Sequence, residues 1–193
     1  MTRGDSGDTS DTQLMMAVRH GDLEQLETLF RRHYASVHAL CARLADGAHV
    51  AEDLAQEAFL RVLRLRGSYR GEARFSTWLY RIARNVCVDH GVAGARRRRL
   101  EAAWSLDGES ARVAEQATDD EAEHEQRRGR LSRALDRLPA EQREAIVLAR
   151  FHGLPYEEIA VVLDCTPGAA RVRVHRAIRR LRDVYLELEH QER

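Results

Sequence analysis

Residues 154–181 read LPYEEIAVVLDCTPGAARVRVHRAIRRL, and this stretch decides the fold class. Ile159, Ala160 and Leu163 fall at helical spacing and predict one short amphipathic helix. Asp164, Cys165 and Thr166 follow as a tight turn. Thr166 suits the N-cap of a second helix and Pro167 its first position, where a missing N–H leaves no hydrogen bond unmade. Ala170, Val174, Ala177, Ile178 and Leu181 then repeat as a buried stripe, while Arg171, Arg173, His175, Arg176, Arg179, Arg180 and Arg182 occupy the other faces. An arginine-rich face by itself is as often solvated surface as it is a binding face. A short helix, a capped turn and a basic helix in succession predict more: a helix-turn-helix whose second helix enters a DNA major groove.

Composition bounds the rest. The chain has 193 residues, enough for one or two domains, and its 31 basic and 31 acidic residues cancel. The neutrality is a sum of opposite patches. Residues 107–125 are strongly acidic with only Arg112 opposing, and residues 171–182 are strongly basic. Every basic residue apart from histidine is arginine, which suits phosphate and guanine contacts but equally follows from GC-rich codons. Cys41, Cys87 and Cys165 are far apart and form no metal-ligand spacing, so buried reduced thiols are expected, with no metal and no cofactor. No apolar run reaches spanning length and the polar N-terminus does not read as a signal peptide, so a cytoplasmic protein without membrane insertion is expected.

Working toward the N-terminus, the pattern is helical throughout and nothing alternates with period two. Residues 1–10 are small and polar and are expected to be disordered. A short helix ends at Gly21. Asp22 with Gln25 resembles a capping box opening a long helix through Leu26, Phe30, Val37, Leu40 and Leu44, which Asp46-Gly47 breaks. A third helix is predicted from about Ala51 to Leu65 and a fourth from Ser76–Thr77, ending near His90 because Gly91 and Gly94 each cost about 1 kcal/mol in a helix interior. A second helical unit begins with Leu131, Leu135 and Leu138, restarts at Pro139 with Ile146 and Phe151 inside, and closes with the helix-turn-helix. The expected architecture is all-α: a domain over 11–98, an acidic linker over 99–126 that is exposed and mobile, and a helix-turn-helix domain over 127–193.

Two faces of the first unit carry candidate chemistry. On the third helix Leu54, Ala55, Ala58, Phe59, Val62 and Leu63 make the core stripe. Asp53, Gln56, Glu57, Leu60, Arg61 and Arg64 share the opposite side, which is a solvated face with one stray leucine or a docking surface in which Leu60 packs and the charges pair across an interface. In the segment RFSTWLYRIARN, at the start of the fourth helix, Trp78 and Tyr80 are interleaved with Arg74, Arg81, Arg84 and Asn85. The rings are core residues or platforms for unpaired bases, with guanidinium groups on the phosphates. Arg96 to Arg99 add a basic cluster that falls on the helix or on the linker.

Three blocks in this order, AEDLAQEAFLRVLR, SYRGEARFSTWLYRIARNVCVDH and LPAEQREAIVLARFHGLPYEEIAVVLDCTPGAARVRVHRAIRRLR, closely resemble bacterial RNA polymerase sigma factors of the extracytoplasmic-function group, over about residues 11–98 and 128–186. The resemblance implies a transcription initiation factor without enzymatic activity. Its first domain would bind the clamp helices of the largest polymerase subunit through Asp53, Gln56 and Glu57, with Leu60 and Arg61 on the same face. The segment 68–89 would read and open the minus-ten element, with Trp78 and Asn85 foremost and Arg74, Tyr80, Arg81 and Arg84 beside them. The second domain would meet the flap of the second-largest subunit. It would read the minus-thirty-five element with Tyr156, Gly168, Ala169, Arg171, Val172, Arg173, His175 and Arg176. The acidic linker would occupy the polymerase cleft, and an anti-sigma factor is expected as a further partner. Arg81 and Ile82 stand where housekeeping relatives carry a tryptophan pair, which implies weaker melting and stricter promoter choice. Pro155 replaces a common capping serine, and Ala169-Ala170 a common Thr-Val pair. A stand-alone helix-turn-helix repressor leaves the first domain's two faces without a task. A sigma mimic that only sequesters an anti-sigma factor leaves the basic recognition helix without one.

Overall fold

The computed structural model describes residues 6–45, 48–102 and 119–192. Among them the chain is helical, with no strand: α1 (Ser6–Arg19), α2 (Glu24–Leu44), α3 (Ala51–Leu65), α4 (Phe75–Ala102), α5 (Asp119–Asp136), α6 (Ala140–Ile146), α7 (Tyr156–Leu163) and α8 (Pro167–Gln191). The first four form one bundle. Leu29, Val37, Leu40 and Leu44 of α2 pack against Leu54, Ala58 and Val62 of α3 and Phe75, Leu79, Ala83 and Val86 of α4. Helix α1 closes the open side with Met15 and Val18. It is pinned by the buried Asp11, whose carboxylate takes Arg32 and His33 of α2, the latter at 2.7 Å. Tyr69 anchors the loop before α4: its hydroxyl donates to the Ala73 carbonyl at 3.0 Å, and its own carbonyl accepts from Arg19 at 2.8 Å.

Several local expectations are corrected. Helix α1 starts at Ser6, inside the segment expected to be disordered. Helix α2 has no capping box: Leu23 is its N-cap, and the Gln25 amide donates to the Asp22 carboxylate at 3.1 Å instead of the two exchanging bonds with backbone. Leu29 takes the core position of α2 while Phe30 is partly exposed. The α2 helix ends at Leu44, and the Asp46-Gly47 break lies outside the described residues. The largest difference is α4, which does not stop at His90 but runs through Gly91 and Gly94 to Ala102. Arg96 to Arg99 therefore belong to the helix. A Cβ added at Gly91 would meet nothing, so this glycine is neither a turn nor a close approach, and helical continuity overrides its propensity. Most of the acidic linker, 103–118, lies outside the described residues, and its acidic end from Asp119 onward is the start of α5.

The second unit is built around α8. Ala170, Val174 and Ala177 bury against α6 and α7, and further along Val184 and Leu188 pack on Ala134 of α5. Arg130, largely buried, reaches across from α5 to Glu189 at 3.4 Å and Glu192 at 2.7 Å. The turn Val147–Phe151 after α6 is a π-helical widening. It turns Phe151 outward, so this residue is not the core side chain its spacing predicts; it lies instead under the Arg43 guanidinium of α2, 4.4 Å from its carbon.

That contact introduces the feature the sequence did not suggest. The two units are not merely tethered. Leu79, Tyr80 and Ala83 of α4 share one continuous apolar core with Val147, Leu148, Ile159 and Leu163 of the second unit. Arg143 of α6 donates to the Leu44 carbonyl at the end of α2, at 3.0 Å.

Candidate functional site

The helix-turn-helix forms as its sequence dictates. Asp164 ends α7 in the left-handed region, at φ 52°, a conformation that short polar side chains tolerate better than most. Thr166 caps α8, its hydroxyl accepting from the Ala169 N–H at 3.2 Å, and Pro167 takes the first turn. The apolar stripe of α8 faces inward, which leaves Gly168, Arg171, Val172, His175 and Arg176 exposed on one surface and Ala169 at its edge. Among the described residues no carboxylate pairs with Arg171 or Arg176. Arg173 differs: it is half-buried, 3.6 Å from Glu141 at the start of α6, and braces α8 against its neighbour. Tyr156 is half-buried at the start of α7. A concave surface of about 660 Å³ continues the basic face, bounded by Arg137 and Gln142 on one side and Arg176, Arg179 and Arg180 on the other. Arg137 was not singled out in the sequence, because its isolated position in a helical repeat carries no signal.

On α3 the polar face is exposed as its periodicity predicts. Asp53, Gln56 and Leu60 face solvent, with Leu60 49% exposed. Glu57 and Arg61 are partly covered by each other, at 3.1 Å. Arg61 also donates to Asp89 of α4 at 2.7 Å, a bond that ties the two helices and raises the guanidinium pKa above its ordinary value. Arg61 is thus bound within the fold instead of extended toward a partner. Beside this face lies an apolar groove of about 430 Å³ between α2 and α3, lined by Leu23, Leu26, Phe30, Gln56, Phe59 and Leu60. Phe30 was missed as a surface residue because in sequence it fits the core stripe of α2, and Leu23, the residue before that helix, carries no signal of its own.

The residues expected to meet the minus-ten element divide. Arg74, just before α4, and Arg81 and Asn85 on it are exposed. Trp78 is half-buried, its ring 5.1 Å from Tyr69 and 6.2 Å from Phe75. Tyr80 is buried, its ring 4.9 Å from that of His152 in the second unit, and cannot stack on a base in this arrangement. Arg84 is bound: its Nε and Nη2 both donate to one oxygen of Glu144, at 3.0 and 2.8 Å. Thr77 donates to Glu158 at 2.6 Å, with Arg74 3.6 Å from the other oxygen of that carboxylate. Arg81 lies 3.7 Å from Asp164. His152 is the residue no motif pointed to. Its Nε2 is buried without a hydrogen-bond partner, and burial together with the Arg43 cation lowers its pKa to about 4. Among the described residues no His, Cys, Asp and Glu cluster could hold a metal ion, and no helix is long and apolar enough to cross a membrane.

Among the described residues an all-helical fold with a basic helix-turn-helix at one end, and an exposed polar helix face and an aromatic-arginine helix at the other, has the make-up of a DNA-binding transcription protein. Sequence comparison narrows the class. Residues 29–99 match the model of sigma-70 region 2, and residues 128–181 match that of sigma-70 region 4. The chain is 38% identical over 175 residues to the RNA polymerase sigma factor CarQ of Myxococcus xanthus, covering 91% of this chain and 97% of that one. It is 35% identical over 173 residues to the ECF RNA polymerase sigma-E factor of Escherichia coli K12, covering 87% and 90%. The fold is shared with the sigma factor RpoE solved with the anti-sigma factor NepR from Bartonella quintana, at TM-score 0.66, 24% identity and coverage of 82% and 94%. It is shared equally with CnrH solved with the cytosolic domain of CnrY, at TM-score 0.66, 20% identity and coverage of 90% and 96%. The chain belongs to the ECF group of bacterial RNA polymerase sigma factors. It binds core RNA polymerase and directs promoter-specific transcription initiation.

Proposed function

We propose that the three faces divide that task. Asp53, Gln56, Glu57 and Leu60 of α3, with Arg61 behind them, meet the clamp helices of the largest polymerase subunit. The α2–α3 groove adds apolar area to this contact. Arg74, just before α4, and Trp78, Arg81, Arg84 and Asn85 of α4 meet the minus-ten strand. Gly168, Ala169, Arg171, Val172, His175 and Arg176 of α8 read the minus-thirty-five element, with Tyr156 and Arg173 positioning the helix. The units 11–98 and 127–193 serve as the two promoter-reading domains, joined over 99–126. The second unit meets the flap, an anti-sigma factor is a further partner, and the chain acts in the cytoplasm. Nucleotidyl transfer belongs to the polymerase and the chain itself catalyses nothing.

The observation that carries this reading is the exposed α8 face whose Arg171 and Arg176 have no carboxylate partner among the described residues, in a protein that pairs many of its other arginines. A bidentate arginine–guanine contact contributes roughly 1–3 kcal/mol of discrimination. Arg171→Ala or Arg176→Ala in the full-length holoenzyme should lower the preference for a cognate promoter over one with a scrambled upstream element. Arg180→Ala should weaken both about equally and reduce the salt slope by about one. Equal losses on both DNAs for all three variants would assign the arginines to phosphates and remove direct base reading by this face.

A further inference from the structure

Cys41 and Cys87 belong to none of the faces described above. Cys41 sits in the last turn of α2 and Cys87 midway along α4, forty-six positions apart, and the packing of the two helices brings both into one core. Both are free thiols, 0% and 5% exposed, and their side chains hydrogen-bond to each other. The pair can also be reached. Cys87 lines a cleft of about 400 Å³ between the end of α2, α4 and α6, with Ala45, Val88, Gly91 and Arg143. Side chains on a helix lean toward its N-terminus, so the residue four positions on lies over Cys87. That residue is Gly91, where an added Cβ would meet nothing. The glycine that lowers the helical propensity of α4 therefore leaves the approach to the Cys87 sulfur open. The hydrogen bond from Cys87 lowers the Cys41 pKa. The pair thus gives up its first proton more readily than a lone buried thiol, and transfer along the same bond places the charge on either sulfur.

We propose that Cys41 and Cys87 form a reversible oxidation site, where a small hydroperoxide converts the thiol pair into a disulfide that ties α2 to α4. The Cys87 thiolate attacks one peroxide oxygen, the O–O bond breaks, and the departing alkoxide or hydroxide takes up a proton. Cys87 is left as a sulfenic acid. The Cys41 sulfur then displaces the sulfenic hydroxyl, which leaves as water with the Cys41 proton. Two thiols lose two electrons and two protons in all, and the peroxide becomes an alcohol and a water, or two waters. The sulfurs need only close from hydrogen-bond contact to about 2 Å. A dithiol reductant reverses the bond by exchange and is itself oxidised to a disulfide. The bond closes a loop of chain that contains α3 and restricts the unfolded state, so the oxidised bundle is the more stable form.

The test uses the reduced full-length chain and hydrogen peroxide in small molar excess, with the remaining thiols blocked by N-ethylmaleimide in denaturant before trypsin digestion. Mass spectrometry should find peptides 33–43 and 85–96 joined, two hydrogens lighter than their sum, and separated again by dithiothreitol. Cys165, in peptide 151–171, should stay unlinked. The oxidised chain should melt about 5 °C above the reduced one. Gly91→Leu, which fills the cleft beside Cys87, should slow linkage about tenfold. Cys41→Ala should leave Cys87 as a sulfenic acid that dimedone traps, and should that variant fail to fold, the peptide map of the natural chain decides alone. A link that involves peptide 151–171, or one that forms only when peroxide is added in urea, overturns the site. So does a peroxide-treated chain in which Cys41 and Cys87 both still take up N-ethylmaleimide. An unchanged linkage rate in Gly91→Leu overturns the cleft as the route of entry, and a lower melting temperature after oxidation overturns the clamp.

Discussion

His152 shows how a single side chain records the packing of two units. Its ring lies on Tyr80, Arg43 stands nearby, and its Nε2 has no partner, so the imidazole is stable there only as the neutral form. The folded pKa of about 4 lies below the unfolded value of 6.5. Above pH 6.5 both states are neutral at this site and it contributes no pH dependence. As pH falls from 6.5 toward 4 the unfolded chain takes up the proton first, so stability is lost across that window. Thermal melts of the natural chain and His152→Phe between pH 7.5 and 4.5 check this. The difference in melting temperature should move in favour of the variant as pH falls. Parallel curves would mean that His152 is solvated in solution. Nothing in the linear sequence marks His152, since a histidine in a turn is ordinary and its burial depends on a helix some seventy positions earlier (Tyr80).

At the scale of the element, α8 and α4 contrast local instruction with override. Helix α8 begins where Thr166 and Pro167 require it to. Thr166→Ala removes the hydroxyl that accepts from Ala169 and should cost about 1 kcal/mol in denaturant unfolding, with helix content otherwise intact. A loss below a few tenths would show that water replaces the cap. Helix α4 continues where its glycines argue against it. Gly91→Ala places a methyl in open space on a helical backbone and should stabilise the chain by up to about 1 kcal/mol. A destabilised variant would mean that α4 ends before Gly91 in solution. The basic residues 96–99 would then return to the linker.

Across the whole molecule, the faces of α3 and α4 meet different fates. The α3 surface stays open: Gln56 and Leu60 border a groove that no segment of the described chain fills. Gln56→Ala with Glu57→Ala should weaken binding to core polymerase about tenfold, as expected when central contacts of an interface are truncated. The melting temperature should barely change, because Arg61 keeps its bond to Asp89 when Glu57 is removed. Unchanged polymerase affinity in a folded double variant would take this face out of the interface. On α4 the second unit instead takes Arg84 and Thr77 into bonds with Glu144 and Glu158, while Arg81 and Asn85 stay exposed.

What the sequence determined by itself is whatever depends on neighbours within about four positions. Thr166-Pro167 starts α8, the stripe Leu54, Ala55, Ala58, Phe59 and Val62 turns one side of α3 inward, and the opposite side is thereby exposed. Those local rules suffice for the all-helical class, for the capped basic helix α8 and for the exposed polar face of α3. Tertiary structure alone decided the pairing of Arg84 with Glu144, sixty positions apart, and of Thr77 with Glu158, eighty-one apart. It also decided which aromatic of α4 is buried. Helical spacing sets Trp78 nearer the apolar stripe of α4 than Tyr80, yet Tyr80 is the buried ring, because the second unit places His152 on it. The physical reason is range. Helical periodicity encodes which side of a helix is apolar, but a charged residue beside that stripe meets water, a phosphate or a carboxylate according to which surface docks there, and docking is set by complementarity between segments that are remote in the chain.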